Sequence, residues 1–322
     1  MNLYPLKFYP ILKERLWGGT KLKEVLGKSI NSDITGESWE LSGVSGDVSI
    51  VANGELEGTS LQDLILKYPE DMLGKSVIER FGTEFPILIK FIDAKQDLSI
   101  QLHPNDELAK KRHNSFGKTE RWYVMDADPG AELIVGFNRP VTKEEYIKSM
   151  EGNNLLDLLN YEKVGEGDTF FINTGKIHAI GTGVLLAEIQ QTSDITYRVF
   201  DFNRRDKDGN FRELHTELAL DAIDYEKKDD FKISYLQERN TVNPMVSCPY
   251  FKTNFLDLGT SMELDIGRRN SFTIYICVAG SATVSNGFGE ADLQKGETVL
   301  IPARSKNLHI STRNVKLLEV TI

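Results

Sequence analysis

The run Leu98-Ser99-Ile100-Gln101-Leu102-His103 alternates apolar and polar side chains without a break and then stops at Pro104. A β-strand turns every second residue to the same side, so Ser99, Gln101 and His103 share one face, and Leu98, Ile100 and Leu102 the other. A β-barrel gathers such polar faces from strands far apart in sequence. The histidine and amide on this strand therefore invite a search for partners elsewhere in the chain.

Two partners stand out. Glu120 follows a turn-rich segment containing Pro104, Asn105, Asp106 and Gly117, and it immediately precedes the β-prone run Arg121-Trp122-Tyr123-Val124-Met125, which puts it at a strand start. His178 closes the stretch Gly167-Asp168-Thr169-Phe170-Phe171-Ile172-Asn173-Thr174-Gly175-Lys176-Ile177-His178, which reads as turn, strand, turn and histidine. This second stretch resembles the second cupin motif, with Asn173 where proline is usual.

Neutral imidazole nitrogen and carboxylate oxygen suit zinc at about 2.0 to 2.2 Å, and a His, Glu, His set with open positions also suits iron(II). Gln101 is a weaker ligand and could instead hold a water or the substrate. The remaining histidines read as structural: His113 lies in a charged loop with Lys110, Lys111 and Arg112, His215 begins a helix, and His309 sits in a terminal strand.

A length of 322 residues and an apolar fraction of 40% allow about two ordinary domains with real cores. No apolar run approaches the roughly 18 to 20 residues of a spanning helix, and Met1-Asn2-Leu3-Tyr4-Pro5-Leu6-Lys7 lacks the layout of a signal peptide. The expectation is a cytoplasmic protein, and the two cysteines, Cys248 and Cys277, fit a reducing compartment as buried thiols. A net charge of -10 leaves no basic footprint for nucleic acid, and no polybasic amphipathic segment addresses a membrane. An anionic substrate would have to be held by local cations and a metal against that overall field.

Strand-like pieces around Trp17-Gly18-Gly19 and Ser38-Trp39-Glu40-Leu41-Ser42-Gly43 extend the first barrel. Helical periodicity runs from Thr59 to Leu73 with a break near Pro69, from Thr142 to Leu159 behind a Thr142 cap, and from Arg212 to Tyr225. Between them, Pro86-Ile87-Leu88-Ile89-Lys90-Phe91-Ile92 reads as a fully buried strand in which Lys90 needs a phosphate or a carboxylate to neutralise it. Glu166-Gly167-Asp168-Thr169-Phe170-Phe171-Ile172-Asn173 is echoed by Lys295-Gly296-Glu297-Thr298-Val299-Leu300-Ile301-Pro302. The echo lacks a suitably placed Glu or His pair. The expected organisation is mainly β: a metal-binding cupin with attached helices over residues 1–235 and a degenerate, metal-free cupin over 236–322, with strands at 251–258, 271–278 and 315–321.

Gln101-Leu102-His103-Pro104-Asn105-Asp106, Gly117-Lys118-Thr119-Glu120 and the His178 segment followed by Glu188 and Arg198 together resemble the type I phosphomannose isomerase family. The resemblance covers roughly residues 15–205, and the remaining length fits the short bacterial form. It implies a double cupin with one zinc ion that interconverts mannose 6-phosphate and fructose 6-phosphate. The implied zinc ligands are Gln101, His103, Glu120 and His178, and the implied catalytic arginine is Arg198. Lys118, Glu188, Lys90 and Ser99 match the family's lysine before the zinc-binding glutamate, a later acidic residue, and a phosphate-associated lysine and serine. The chain departs from longer members at Thr119, in the His178 to Glu188 spacing, and in lacking their large helical insertion.

An aldose to ketose shift moves a proton between C2 and C1 through an enediol, which calls for an acid/base group and stabilisation of negative charge. Val184, Leu186, Glu188 and Gln190 share a strand face, so Glu188 can be aimed into the barrel as the proton carrier. Arg198 offers a planar fork for phosphate or enediolate, and Lys118 can steady the phosphate or protonate an oxygen. The partner is then a small sugar phosphate, and the protein a monomer or small homo-oligomer. The residues alone leave alternatives: an iron(II) cupin oxygenase or other metal-dependent cupin enzyme, a non-catalytic sugar-phosphate-binding cupin, and a phosphoglucose isomerase on a cupin scaffold.

Overall fold

The computed structural model describes residues 2–206, 208–229 and 231–322. The first half contributes strands β1 (Ile11–Gly19), β2 (Thr35–Leu41), β3 (Ile87–Ala94), β4 (Ile100–Leu102), β5 (Glu120–Ala127) and β6 (Glu132–Phe137). These are followed by β7 (Leu159–Lys163), β8 (Thr169–Ile172), β9 (His178–Ile180), β10 (Val184–Gln191) and β11 (Tyr197–Phe200). They form a six-stranded sheet, β1-β2-β3-β10-β5-β8, facing a five-stranded one, β11-β4-β9-β6-β7. The remaining strands are β12 (Val242–Ser247), β13 (Lys252–Leu258), β14 (Met262–Asp265), β15 (Thr273–Ser285), β16 (Glu290–Gln294), β17 (Thr298–Ile301) and β18 (Asn307–Thr321). They make a single seven-stranded sheet in which long β18 and β15 pair along most of their length.

Period-two burial sorts the side chains into layers. On β10, Val184 and Leu186 point into the space between the first two sheets, where they meet Trp122, Val124, Leu133, Val135 and Ile180. The alternate residues, Leu185, Ala187 and Ile189, point the other way and pack with Phe255, Ile274, Ile276, Leu318 and Val320 of the third sheet. The six-stranded sheet is thus buried on both faces, which explains why β2, β3 and β10 read as nearly continuous buried runs. Each Leu, Ile or Phe so buried contributes about 1.5–3 kcal/mol relative to exposure. The third sheet curls around its own core of Leu256, Tyr275, Leu293, Leu308 and Leu317.

The two sequence echoes adopt the same local form. Gly167 (φ +90°) and Gly296 (φ +84°) both take the left-handed turn conformation that favours glycine, and each turn feeds a four-residue strand, β8 or β17. The expected helix from Thr59 to Leu73 is two helices, Leu61–Lys67 and Pro69–Leu73, with Pro69 in the first turn of the second. Thr142 caps helix Lys143–Glu151 through a full capping box, but the helix ends there, and a short 3-10 turn covers Leu155–Leu158. The segment from Arg212 to Tyr225 yields only Thr216–Leu220. The segment read as a loop around His113 is a helix, Asp106–His113, capped by Asn105 and closed by Asn114 in the left-handed conformation. Among the described residues no helix is long and apolar enough to cross a membrane.

Candidate metal centre and the cavity beside it

His103 follows β4 directly, Glu120 opens β5 and His178 opens β9. Gln101 and His178 are register partners across β4 and β9, so their side chains share a face. One ligand atom from each of His103, Glu120 and His178 lies within 4.8 Å of the others, and all three side chains are 1% exposed. His103 Nε2 is 3.2 Å from Glu120 Oε1, and His178 Nε2 is 3.9 Å from Glu120 Oε2.

Both imidazoles are fixed from behind. His103 Nδ1 lies 2.8 Å from the Ile195 carbonyl and His178 Nδ1 lies 2.8 Å from the Lys176 carbonyl. A carbonyl oxygen can only accept, so each Nδ1 carries the proton and each Nε2 presents a lone pair to the centre. Both Nε2 atoms and both Glu120 oxygens are buried without a hydrogen-bond partner. Lys118 Nζ comes within 2.9 Å of Glu120 Oε1, but the contact is an ion pair without hydrogen-bond alignment. Four converging, buried, unpartnered lone-pair atoms are costly unless a cation completes them. The residues fit a divalent metal.

The local electrostatics keep the ligands in their metal-binding forms. Burial, followed by repulsion from His103, pushes the His178 imidazolium down to about 3, and burial with Lys118 lowers His103 too. Burial alone would raise the Glu120 carboxyl, yet Lys118 and the two imidazoles outweigh it and hold it well below the usual range.

A cavity of about 540 Å³ opens beside this centre and is lined in part by Gln101, Ser99, Lys118, Lys90, Glu188 and Arg198. Every residue singled out from the sequence therefore reaches the triad or the cavity wall. Glu188 is held from both neighbouring strands: its register partners are Lys90 on β3 and Trp122 on β5. Lys90 Nζ stands 3.2 Å from Glu188 Oε1, and the Trp122 indole donates to Oε2 at 2.9 Å. Lys90 thus has the carboxylate its burial required. Burial, then repulsion from Glu120, raises the Glu188 pKa despite both lysines. Burial lowers Lys118, but Glu120 and Glu188 outweigh it and raise the ammonium overall.

Arg198 on β11 differs from the other cations in its partners. It donates through Nε to Ser99 Oγ at 3.3 Å and through Nη1 to the Glu213 carbonyl at 2.9 Å, both neutral acceptors. Burial and the nearby Arg212 lower its pKa. Ser99 also donates to Gln101 Oε1 at 3.3 Å.

The sequence reading missed the opposite wall. Lys13, Arg15, Glu37, Trp39 and Asp47 line the cavity from β1, β2 and the turn beyond. The signal was available, because period two along Glu37-Ser38-Trp39 puts Glu37 and Trp39 on one face. Arg15 pairs with Glu37 at 2.9 Å, and Lys13 and Lys90 each lie 5.0 Å from the Trp39 ring. Asp106, at the start of the unexpected helix, accepts from Gly117 N, Gln191 Nε2 and Tyr250 OH, which ties down the segment that delivers Lys118 and Glu120. His113, His215 and His309 stay outside: they contact the Tyr197 hydroxyl, the Arg198 amide and Glu263 respectively.

Comparison with known proteins places this geometry. The profile of the phosphomannose isomerase type I catalytic domain matches residues 6–136, and that of the mannose-6-phosphate isomerase cupin domain matches 241–321. Mannose-6-phosphate isomerase ManA of Bacillus subtilis is 36% identical over 94% of both chains. The chain belongs to the type I phosphomannose isomerase family. Mannose-6-phosphate isomerase from Streptococcus mutans is 33% identical, again over 94% of each chain. A crystal structure of the Bacillus subtilis mannose 6-phosphate isomerase superposes with a TM-score of 0.90 at 32% identity, covering 99% of this chain and 100% of that one. The expected fold, mainly β with a cupin architecture, is the one found.

Proposed function

We propose that this protein interconverts mannose 6-phosphate and fructose 6-phosphate through an enediol, with a zinc ion held by His103, Glu120 and His178 and with Gln101 as a further ligand. The observation that carries this reading is the set of four buried ligand atoms, without a hydrogen-bond partner among the described residues, beside a cation-lined cavity, in a chain of this family. Zinc in that position would act as a Lewis acid toward the sugar oxygens, directly or through bound water.

The chain's own residues carry the rest. Glu188 is the proton carrier between C2 and C1: it is buried, its carboxyl is biased toward the protonated form, and Lys90 and Trp122 fix its orientation. Arg198, whose side-chain hydrogen bonds among the described residues go to neutral acceptors, offers its charge to the enediolate or the phosphate. Lys118 protonates or steadies a sugar oxygen beside Glu120, and Lys90 and Ser99 complete the phosphate contacts.

The test is a coupled assay of the purified protein before and after chelation, with elemental analysis of the bound metal. Activity should disappear with the metal and return with zinc. Full activity in the metal-free protein would refute the proposal, and restoration by iron(II) but not zinc would refute the assignment of the ion.

A further inference from the structure

The seven-stranded sheet reproduces, position for position, the environment of Glu188. In the first unit β5 and β8 pair Glu120 with Ile172, and in the second β15 and β17 pair Thr273 with Ile301. Ile172 and Ile301 are themselves equivalent in the repeated turn-and-strand segment, so Thr273 is the counterpart of Glu120 and Tyr275 that of Trp122. On the next strand Glu188 is the register partner of Trp122, and Glu319 that of Tyr275. On the strand beyond, Glu188 faces Lys90 and Glu319 faces Asn254.

The contacts repeat as well. Glu188 takes a donor from Trp122 and a cation from Lys90. Glu319, 1% exposed, accepts from Tyr275 OH at 2.5 Å and from Asn254 Nδ2 at 2.8 Å. What differs is the charge at the centre. The metal-binding carboxylate is replaced by Thr273, and Arg269 Nη1 bridges Thr273 Oγ1 at 3.1 Å and Glu319 Oε2 at 2.9 Å. An organic cation thus stands between the counterparts of Glu120 and Glu188.

A cavity of about 520 Å³ opens over this cluster, lined in part by Lys252, Asn254, Arg268, Arg269, Glu319 and Ile322. Both Glu319 oxygens are already engaged. Among the described residues the side chains of Lys252 and Arg268 make no hydrogen bond or ion pair. Among the described residues Arg269 donates hydrogen bonds through Nη1 and through no other side-chain nitrogen. We infer that this second cavity is an anion site for a phosphate dianion, free or as a monoester, held by Arg269, Arg268 and Lys252. An arginine fork beside two further cations matches the charge and the oxygen geometry of that group. The buried Glu319 acts as the anchor that orients Arg269.

The experiment is isothermal titration calorimetry of the metal-loaded protein with inorganic phosphate and, separately, glucose 6-phosphate. The wild type, Arg198→Ala and the double variant Lys252→Ala/Arg268→Ala are compared. The wild type should show a class of phosphate site that survives Arg198→Ala and weakens by about tenfold or more in the double variant, whose kcat and KM stay unchanged. Tighter binding of glucose 6-phosphate than of phosphate at that site would identify a monoester as the occupant, and equal binding the free ion. Lys252 and Arg268 are exposed, so an unchanged Tm will verify folding. Phosphate binding left within about twofold by the double variant, or abolished altogether by Arg198→Ala, would overturn the inference. Because the readout is binding, its failure would leave the isomerase reading untouched.

Discussion

Arg198→Ala separates the guanidinium's chemistry from its structural contribution. The structure gives it two hydrogen bonds, one of them long, to the Ser99 hydroxyl and the Glu213 carbonyl. Bonds of this neutral-acceptor kind contribute about 1 kcal/mol each, so the variant should lose at most about 2 kcal/mol, or a few degrees in Tm. A donor aimed at developing oxyanion charge is worth more, about 2.7–4 kcal/mol, or roughly 10²–10³ in kcat. The protein should therefore stay folded and metal-loaded at 25 °C while turnover falls by that factor. Arg198→Lys restores the charge without the fork and should fall between the two, about 10- to 100-fold below wild type. The assay is coupled conversion of mannose 6-phosphate, with metal content and thermal melting measured on the same preparations. Turnover of the Ala variant within about threefold of wild type would refute the reasoning, as would a loss explained by missing metal.

The Glu188 carboxyl is raised above the ordinary carboxylate value, by burial first and by Glu120 second. As a base it must be ionised, so kcat/KM should fall as pH drops through a pKa raised above the usual carboxylate value. Glu188→Gln should lower turnover by about 10²–10⁴ and flatten that limb; an unchanged limb in the variant would exclude Glu188 as its source. Arg121 is fully buried between the six-stranded and seven-stranded sheets, with no hydrogen-bond partner for Nε or Nη1 among the described residues, Nη2 against Met245 Sδ at 2.8 Å and the Tyr123 ring 5.9 Å away. Burial draws its pKa down to about 10. Arg121→Met should raise stability by about 1–3 kcal/mol at unchanged activity, seen as a higher urea midpoint, and a lower midpoint would show that the charge is compensated.

The strands and the His103, Glu120 and His178 cluster were legible because both follow period two and short motifs. Ser99, Gln101 and His103 announced a common face, and Glu188 was aimed inward by the same rule. Helix Asp106–His113 was not legible because it buries only Ala109 and offers no apolar stripe, so its caps were the sole signal. The partner of Lys90 was also hidden. A buried lysine demands a counter-charge, but that it is Glu188 depends on register between β3 and β10, which nothing local specifies. The opposite wall of the cavity, with Lys13, Arg15, Glu37, Trp39 and Asp47, was hidden because alternation marks a face without saying what the face looks toward. Arg121 gave no sign of its setting because a single arginine in a β-prone run reads as an edge or a solvated position.

The carbonyl that receives His103 Nδ1 belongs to Ile195, three residues before Arg198. One imidazole therefore grips the ion site with one nitrogen and the arginine-bearing segment with the other. Arg198 itself is held by the pairing of β11 with β4, opposite Gln101. The triad and the strand that carries Arg198 are thus joined through a single ring.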